Sequence, residues 1–146
     1  MSVAVALEEL RRELEDRSDA VYLVTVSDDG RPHCVAVSVE WDAGQLVVGS
    51  GTTSTRNAAT RPLVTLLSPP GSASAGPAAE SGAEGRSLHA AYSLIIDGEV
   101  IATSPSAGGS RLRLRPTHAV LHRPTVTAEG GRAGDCAHLL DEAAGT

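Results

Sequence analysis

The chain has 146 residues, enough for one domain with a substantial core, and a formal net charge of −6. This acidic balance argues against duplex nucleic acid as a partner, because basic surface supplies most of the affinity for a phosphate backbone. Phe is absent and the only aromatic residues are Trp41, Tyr22 and Tyr92, so the core is expected to consist of Val, Leu, Ile and Ala, which favours strands.

Cysteine content and apolar runs bear on where the protein works. Cys34 and Cys136 are too few for a disulfide framework and are typical of a reducing cytosol. No apolar run approaches the ~18 residues of a membrane span. Charged residues follow Met1–Ala6, where a signal peptide would continue with apolar ones. We therefore expect a cytoplasmic protein without a membrane partner.

The first predicted element is an amphipathic helix within residues 1–18. Val3, Leu7, Leu10 and Leu14 recur at four-three-four spacing and would form one apolar stripe. Charged residues occupy the opposite face, which is the usual pattern of a helix docked on a core.

From Ala20 the hydrophobic period changes to two, which is typical of strands. Turn residues separate the segments at 28–30 and 42–44. Four strands are predicted here: Ala20–Ser27, His33–Trp41, Gln45–Ser50 and Leu63–Ser68. In the second strand the valines are expected on one face and small residues on the other: Val35, Val37 and Val39 against Cys34, Ala36 and Ser38.

A short helix with the features of an anion site is predicted after the third strand. Gly51 allows the backbone to turn, and Ser54 is a suitable N-cap for a helix over Thr55–Thr60 that Pro62 ends. The first turn of such a helix presents unpaired N–H groups and a positive dipole end, which favour phosphate. Arg56 adds a cation whose fork geometry suits phosphate oxygens. The alternative is a capped connector helix without a ligand.

Residues 69–88 interrupt the strand pattern. The run Pro69–Ser87 contains no large apolar residue, so it cannot bury enough surface to offset its ordering entropy. We expect a flexible insertion within a single domain that spans residues 1–146.

Strand patterning resumes after the insertion. His89–Thr103 is predicted to be one long strand with a bulge at Asp97-Gly98, and Ser104–Ser110 a Gly-rich turn. Arg111–Arg123 is the last predicted strand. Pro116 removes one ladder donor, so that strand is expected at an edge or with a break. The tail 125–146 is predicted to be a loop followed by a weak helix, Asp135–Ala144.

These elements predict an all-β fold with minor helices: a six-stranded antiparallel split β-barrel with an N-terminal helix and a short helix after the third strand. Catalytic motifs are missing from the sequence. No histidine pair has zinc spacing, and His118 and His122 lie roughly 13 Å apart along one strand, so no metal site is expected. His122 is expected to bond a neighbour. Ser54 lacks a G-x-S-x-G context, and no P-loop or Rossmann glycine pattern occurs. If the protein is an enzyme, the reactive group should arrive with a cofactor.

Two further features each allow two interpretations. Trp41, at a strand end, could flank a planar ligand or close the barrel mouth by packing. Arg111, Arg113 and Arg115 could be the solvated face of an edge strand or an anion groove at a subunit contact.

The order of motifs resembles a known family. A D-D-G-R-P-H turn, a W-D-x-G turn and S-T-R-N before a helix are followed by Y-S-L-I-I-D-G and T-H-A-V-L-H-R-P. Together these resemble the small flavin-binding split-barrel proteins related to pyridoxamine 5′-phosphate oxidase, across Ala20–Ser68 and Tyr92–Pro124.

The resemblance implies a homodimer with FMN clefts at the subunit interface and an oxidoreductase acting on a small molecule. Its site residues fall into three groups: Ser54, Arg56 and Asn57 at the phosphate, Val35, Val37 and Ser38 beside the flavin ring, and Gly49, Ser50 and Gly51 beside the ribityl chain. It assigns no catalytic side chain. The same barrel also serves F420-dependent reductases and haem-binding proteins, so F420 reduction and a non-catalytic flavin or haem module are the alternatives.

Overall fold

The computed structural model describes residues 2–15, 17, 20–70, 92–123, 125–126 and 132–133. Most of the predicted insertion at 69–88 and the predicted helix Asp135–Ala144 lie outside these residues. The strands are β1 (Ser2–Ala4), β2 (Val21–Val26), β3 (Pro32–Val37), β4 (Val39–Asp42), β5 (Gln45–Ser50), β6 (Leu63–Ser68), β7 (Ser93–Ser106), β8 (Gly109–His122), β9 (Thr125–Val126) and β10 (Arg132–Ala133). The helices are α1 (Leu10–Glu15) and α2 (Thr52–Thr60). None of the described helices is long and apolar enough to cross a bilayer.

The main sheet is antiparallel and curls into a half-barrel of seven strands in the order β3-β2-β6-β7-β8-β5-β4, with β1 added to β8. The mostly-β prediction is confirmed, but the count of six strands is not matched. The predicted strand His33–Trp41 is two strands, because β3 pairs with β2 while β4 pairs with β5 at the other end of the sheet. The chain therefore changes partner at Ser38, whose carbonyl accepts a hydrogen bond from the Gly49 N–H at 3.3 Å.

Period-two alternation places every second side chain in the core. The β2 burial pattern alternates strictly, and the valines of β3 are partly buried while Cys34 and Ala36 are exposed, as the sequence predicts. The fully buried side chains are mainly leucines: Leu10, Leu23, Leu46, Leu66, Leu94, Leu112, Leu114 and Leu121. Each contributes about 1.5–3 kcal/mol of burial free energy, so an aliphatic core can hold the barrel without Phe.

The predicted N-terminal helix is wrong over its first half. Residues 2–4 form β1 instead, with Val3 opposite Leu121, and the helix is only Leu10–Glu15. Val3 and Leu7 are 39% and 41% exposed, whereas Leu10 is fully buried. The pairing of β5 with β8 ends at Leu114, so the backbone groups on that side of residues 120–122 are available to the N-terminal residues. This tertiary pairing overrides the local helical pattern.

β7 and β8 form a long hairpin. The bulge predicted at Asp97-Gly98 is confirmed by a register shift between those residues, with a second shift between Val100 and Ala102. The predicted turn Ser104–Ser110 is too long, because only Ala107 and Gly108 form the turn and Gly108 has φ +84°. Backbone pairing continues through the Gly- and Ser-rich residues beside it, since ladder bonds do not depend on side chains.

Pro116 lies at a break in the ladder, which is one of the two predicted alternatives. β8 is an interior strand, but its pairing with β5 ends at Leu114 and its pairing with β1 begins at Val120. Pro116 falls in the gap between them, opposite Gly98 at the bulge, so its missing N–H interrupts little. In the tail, β9 and β10 pair with each other within residues predicted to be a loop.

Candidate functional site

Helix α2 begins without a side-chain cap. Gly51 is its N-cap, in extended backbone at φ −80° and ψ 175°, and no side chain of the described residues caps it. The sequence prediction that Ser54 caps the helix is therefore wrong by three residues. The hydroxyls of Ser50 and Thr55 lie 3.1 Å apart and both donate to the Gly51 carbonyl, which stabilises the turn there. The helix ends before Pro62, as predicted.

The start of α2 opens into a cleft of about 540 Å³. Three segments of the chain line it. They are β3 with Ser38, the end of β5 with the start of α2 (residues 49–54), and the turn between β7 and β8 (residues 106–110). Small-molecule clefts commonly occupy about 300–1,000 Å³, so this one has the size of a cofactor site. Residues of both β3 and β5 line the cleft, so it lies between these two strands.

Most of the residues predicted from the sequence come together in this cleft. The predicted residues that line it are Val35, Val37, Ser38, Gly49, Ser50, Gly51 and Ser54. Val35 and Val37 are partly buried against the core and give β3 an apolar wall. A Cβ placed on Gly51 would meet no atom within 4 Å, so the absence of a side chain at this residue leaves the cleft wider.

Arg56 and Asn57 do not line the cleft. Asn57 is 2% exposed and donates its amide Nδ2 to the Thr25 hydroxyl at 3.1 Å, so it attaches α2 to β2. Arg56 is exposed, and its guanidinium makes no ion pair within the described part of the chain.

The cleft carries little side-chain charge. His33 is the one ionisable residue among the described residues that line it. Affinity for an anion would therefore come from the N–H groups of Thr52, Thr53 and Ser54 at the positive end of the helix dipole. Ser54 is 2% exposed, and its hydroxyl has no hydrogen-bond partner among the described residues. This arrangement fits a phosphate, and the valine wall fits a flat apolar ring.

Sequence reasoning missed His33 and the whole β7–β8 turn as parts of the cleft. The signal for the turn was Gly108-Gly109. A Cβ on Gly109 would lie 2.4 Å from the Ser50 carbonyl oxygen, so only glycine permits this close approach of the turn to the end of β5. What could not be found locally is that β8 lies beside β5, because this pairing joins distant parts of the sequence.

The three arginines of β8 have partners in the sheet. Arg111 pairs with Glu40, Arg113 with Asp42 at 2.9 Å, and Arg115 with Glu99. We call Arg111, Arg113 and Arg115 the arginine face. The edge-strand interpretation is wrong, because β8 lies between β7 and β5.

The remaining predicted chemistry is structural in character. Trp41 is partly buried and packs against the core, as the packing interpretation predicts. His122 Nδ1 lies 3.0 Å from the Ser2 hydroxyl, so the prediction of a satisfied ring is confirmed. Within the described ranges no group of three His, Cys, Asp or Glu residues could hold a metal ion.

Comparison with solved structures defines the class of fold. The chain resembles an F420 reductase at 19% identity, with a TM-score of 0.53 over 74% of this chain and 94% of the other. It resembles HutZ, the haem storage protein from Vibrio cholerae, at 15% identity with a TM-score of 0.52, covering 80% of this chain and 94% of that one. A candidate 5-nitroimidazole antibiotic resistance protein from Bacteroides thetaiotaomicron is similar at 9% identity and a TM-score of 0.52, over 83% and 88% of the two chains.

These neighbours share the split-barrel fold of the pyridoxamine 5′-phosphate oxidase-like proteins, and this chain has that fold. The resemblance inferred from the sequence motifs is thereby confirmed at the level of fold. No protein-family model and no curated protein matches the sequence.

Proposed function

We propose that the protein binds FMN in the cleft at the start of α2. We further propose that it is an oxidoreductase of the pyridoxamine 5′-phosphate oxidase-like class that acts on a small molecule. The observation that carries this proposal is the uncapped start of α2, which opens into a cleft with an apolar strand along one wall. A phosphate at one end and a flat apolar ring at the other are the two parts of FMN that such a cleft would recognise.

In the proposed complex, the first turn of α2 would hold the phosphate. The N–H groups of Thr52 and Thr53 and the Ser54 hydroxyl would donate to its oxygens, and Arg56, on the next turn of the helix, would add a cation from the solvent side. Asn57 contributes indirectly, because its hydrogen bond to the Thr25 hydroxyl fixes the orientation of α2 relative to β2. This assigns Asn57 a supporting role rather than direct contact with the phosphate.

The flavin ring would lie along Val35, Val37 and Ser38, with Gly49, Ser50 and Gly51 beside the ribityl chain. When bound, FMN would supply hydride and electron transfer. The protein's part is to bind and orient the ring and to exclude water from its valine-lined side. His33 lies at the same wall of the cleft.

A homodimer is part of the proposal. Alternate residues of the sheet leave an apolar row on the outer face, in which Tyr22, Leu67, Ile95 and Val120 are cross-strand neighbours. All four are only partly buried in the monomer. A second copy packed on this row would remove it from water, which is the usual reason for a two-fold contact between small barrels.

F420 is the second candidate cofactor, favoured by the likeness to an F420 reductase across 94% of that chain. Both cofactors present a flat ring and a phosphate, but F420 continues beyond the phosphate into an acidic chain. The formal charge of −6 works against so anionic an extension, whereas FMN ends at its phosphate.

Equilibrium titration with FMN, F420 and haem tests the proposal. FMN should bind with quenching of its fluorescence, and Arg56→Ala should weaken binding by about 2 kcal/mol, or roughly thirtyfold. Arg61→Ala is the matched control, because Arg61 is an exposed arginine at the opposite end of the same helix.

If F420 or haem binds more tightly than FMN, the assignment of FMN as the cofactor is wrong. Equal FMN affinity for both arginine variants would show that Arg56 is not at the phosphate. Sedimentation with the cofactor present tests the dimer, and a monomer at micromolar concentration would contradict it.

A further inference from the structure

The turn between β7 and β8 packs directly against the start of α2. Ser110 pairs with Ser50 in the ladder between β8 and β5, and Gly109 follows on the turn side of that pair. A Cβ added at Gly109 would overlap the Ser50 carbonyl oxygen and would lie 3.7 Å from the Cα of Gly51, the N-cap residue of α2. The backbone of the turn therefore contacts the peptide from which the helix begins.

Gly109 differs from the other turn glycines in the reason for which a glycine is needed. Gly30, Gly44 and Gly108 have φ between +80° and +84°, and a Cβ on any of them would meet no atom within 4 Å. Their backbone conformation favours glycine. Gly109 does not have a positive φ, so its backbone conformation would accept other residues. What excludes a side chain there is the close approach to Ser50.

The peptide between Ser50 and Gly51 is also held from the helix side. The Gly51 carbonyl accepts the Thr55 N–H at 3.0 Å and the Thr55 hydroxyl at 2.9 Å. One turn further on, Asn57 attaches the helix to Thr25 of β2. Because the middle of α2 is fixed in this way, a shift of the Ser50–Gly51 peptide would change the direction of the first N–H groups of the helix.

Two independent features of the first turn of α2 point to an anion as its ligand. No side chain of the described residues caps its N–H groups. The Ser54 side chain lines the same cleft, is 2% exposed, and has a hydroxyl without a partner among the described residues. A buried hydroxyl without a partner costs free energy that a ligand would recover. Charge-assisted hydrogen bonds need donor–acceptor distances of about 2.7–2.9 Å, so a displacement below 1 Å is enough to weaken them.

We propose that Gly109 is a positioning residue for a phosphate bound at the start of α2. It lets the turn pack against Ser50 and Gly51, and this contact fixes where the first N–H groups of the helix lie. A side chain at position 109 would meet backbone atoms, and the pairing of Ser110 with Ser50 prevents the turn from moving away alone. The identification of this phosphate as that of FMN rests on the proposed function, whereas the positioning role needs only the anion site.

The test compares FMN with riboflavin, which has the same ring and ribityl chain but no phosphate. Both affinities are measured by equilibrium titration of the wild-type protein and of Gly109→Ala. We expect Gly109→Ala to lower the affinity for FMN about tenfold and to leave that for riboflavin unchanged. A loss of folded protein would lower both apparent affinities by the same factor, so it would not change their ratio. An unchanged ratio would overturn the proposal.

Gly44→Ala is the matched control. It adds the same methyl group to an exposed turn outside the cleft lining, at a glycine with φ +80°, so it should lower stability and leave the FMN-to-riboflavin ratio unchanged. A fall in that ratio would contradict the proposal. If Gly109→Ala does not fold, Thr55→Val acts more mildly on the same peptide, because it removes the hydroxyl that donates to the Gly51 carbonyl. It should lower the ratio about threefold, and no change would then count against the proposal.

A titration with inorganic phosphate separates this inference from the proposed function. It applies if the wild-type protein binds neither FMN nor riboflavin, which would contradict the proposed function. In the ¹⁵N-labelled full chain at constant ionic strength, the amide signals of residues 52–54 should then shift saturably, with a dissociation constant about tenfold higher in Gly109→Ala. That result would leave the positioning role standing. Absence of these shifts in the wild-type protein, or equal dissociation constants in the two proteins, would overturn it.

Discussion

The arginine face and the start of α2 are two regions that could each attract an anion. They differ in whether their positive groups already have partners within the protein. Arg111, Arg113 and Arg115 carry formal charges, but each has a carboxylate within ion-pair distance. The start of α2 has no side-chain charge in its first turn, yet its N–H groups face an open cleft and no side chain of the described residues caps them.

The difference teaches that the number of arginines is a poor guide to an anion site. Partly exposed ion pairs on a sheet hold each other and leave little net field. The N–H groups at the start of α2 lie at the positive end of the helix dipole, and since no side chain of the described residues caps them, they remain available to a ligand. Four predictions test this contrast, beginning with the support of the helix and ending with an exposed turn.

The largest effect is expected from Asn57→Ala, which removes the attachment of α2 to the core. The Thr25 hydroxyl, fully buried, would lose its donor, and the free energy of unfolding should fall by about 2–3 kcal/mol. Urea denaturation measures the loss. The double variant Asn57→Ala with Thr25→Val should recover part of it, because no buried hydroxyl is then left without a partner; full additivity of the two changes would contradict this account.

Gly51→Leu should obstruct the cleft without unfolding the protein. The backbone at Gly51 has φ −80°, which any residue adopts, and a Cβ there meets no atom within 4 Å. We expect cofactor affinity to fall about a hundredfold, equivalent to about 2.7 kcal/mol, with a nearly unchanged melting temperature. Undiminished binding would place the cofactor elsewhere.

On the arginine face, Arg113→Ala should have a smaller effect and a different one. It removes contacts with Asp42 and Gln45, at 2.9 and 3.2 Å, from a side chain that is 37% exposed. We expect a loss of about 0.5–1 kcal/mol in the free energy of unfolding and no change in cofactor affinity. A fall in affinity comparable to that of Arg56→Ala would instead make this face the anion site.

The smallest effect concerns the exposed turn between β2 and β3. The Ser27 hydroxyl donates to Asp29 and lowers the pKa of that carboxyl, with the N–H of Arg31 contributing less. A lowered pKa stabilises the fold above the ordinary Asp value of about 3.9, and this stabilisation is lost as the pH falls through the lower folded value. NMR titration of Ser27→Ala should show the Asp29 pKa rising toward its ordinary value; an unchanged pKa would assign the shift to another group.

Local signals in the sequence predicted much of the fold. The alternation in β2 and β3, the bulge at Asp97-Gly98 and the helix end before Pro62 were all predicted correctly, because each depends on a few adjacent residues. The errors came from long-range pairing. Residues 2–4 form a strand because they pair with the end of β8. The predicted strand His33–Trp41 is divided at Ser38 because β3 pairs with β2 whereas β4 pairs with β5.

The candidate site divides in the same way. Gly51 and Ser54 were found from turn and helix-start chemistry, and both line the cleft. The direction of the Asn57 side chain could not be predicted, because it depends on Thr25 in a strand more than thirty residues earlier. The turn Ser106–Ser110 reaches the cleft only through the pairing of β5 with β8, which no local pattern in the sequence reveals.

The change of partner at Ser38 also sets the order in which the barrel can form. The hairpins β2–β3 and β4–β5 are local and can close within microseconds, but they occupy opposite ends of the sheet. They are joined across the sheet only when β6, β7 and β8 pair between them, and such non-local closure is slow. The wall between β3 and β5 is thus completed late in folding. A cofactor bound there would leave the folding rate almost unchanged and would slow unfolding, so ligand stabilisation should appear in the unfolding arm of a chevron plot.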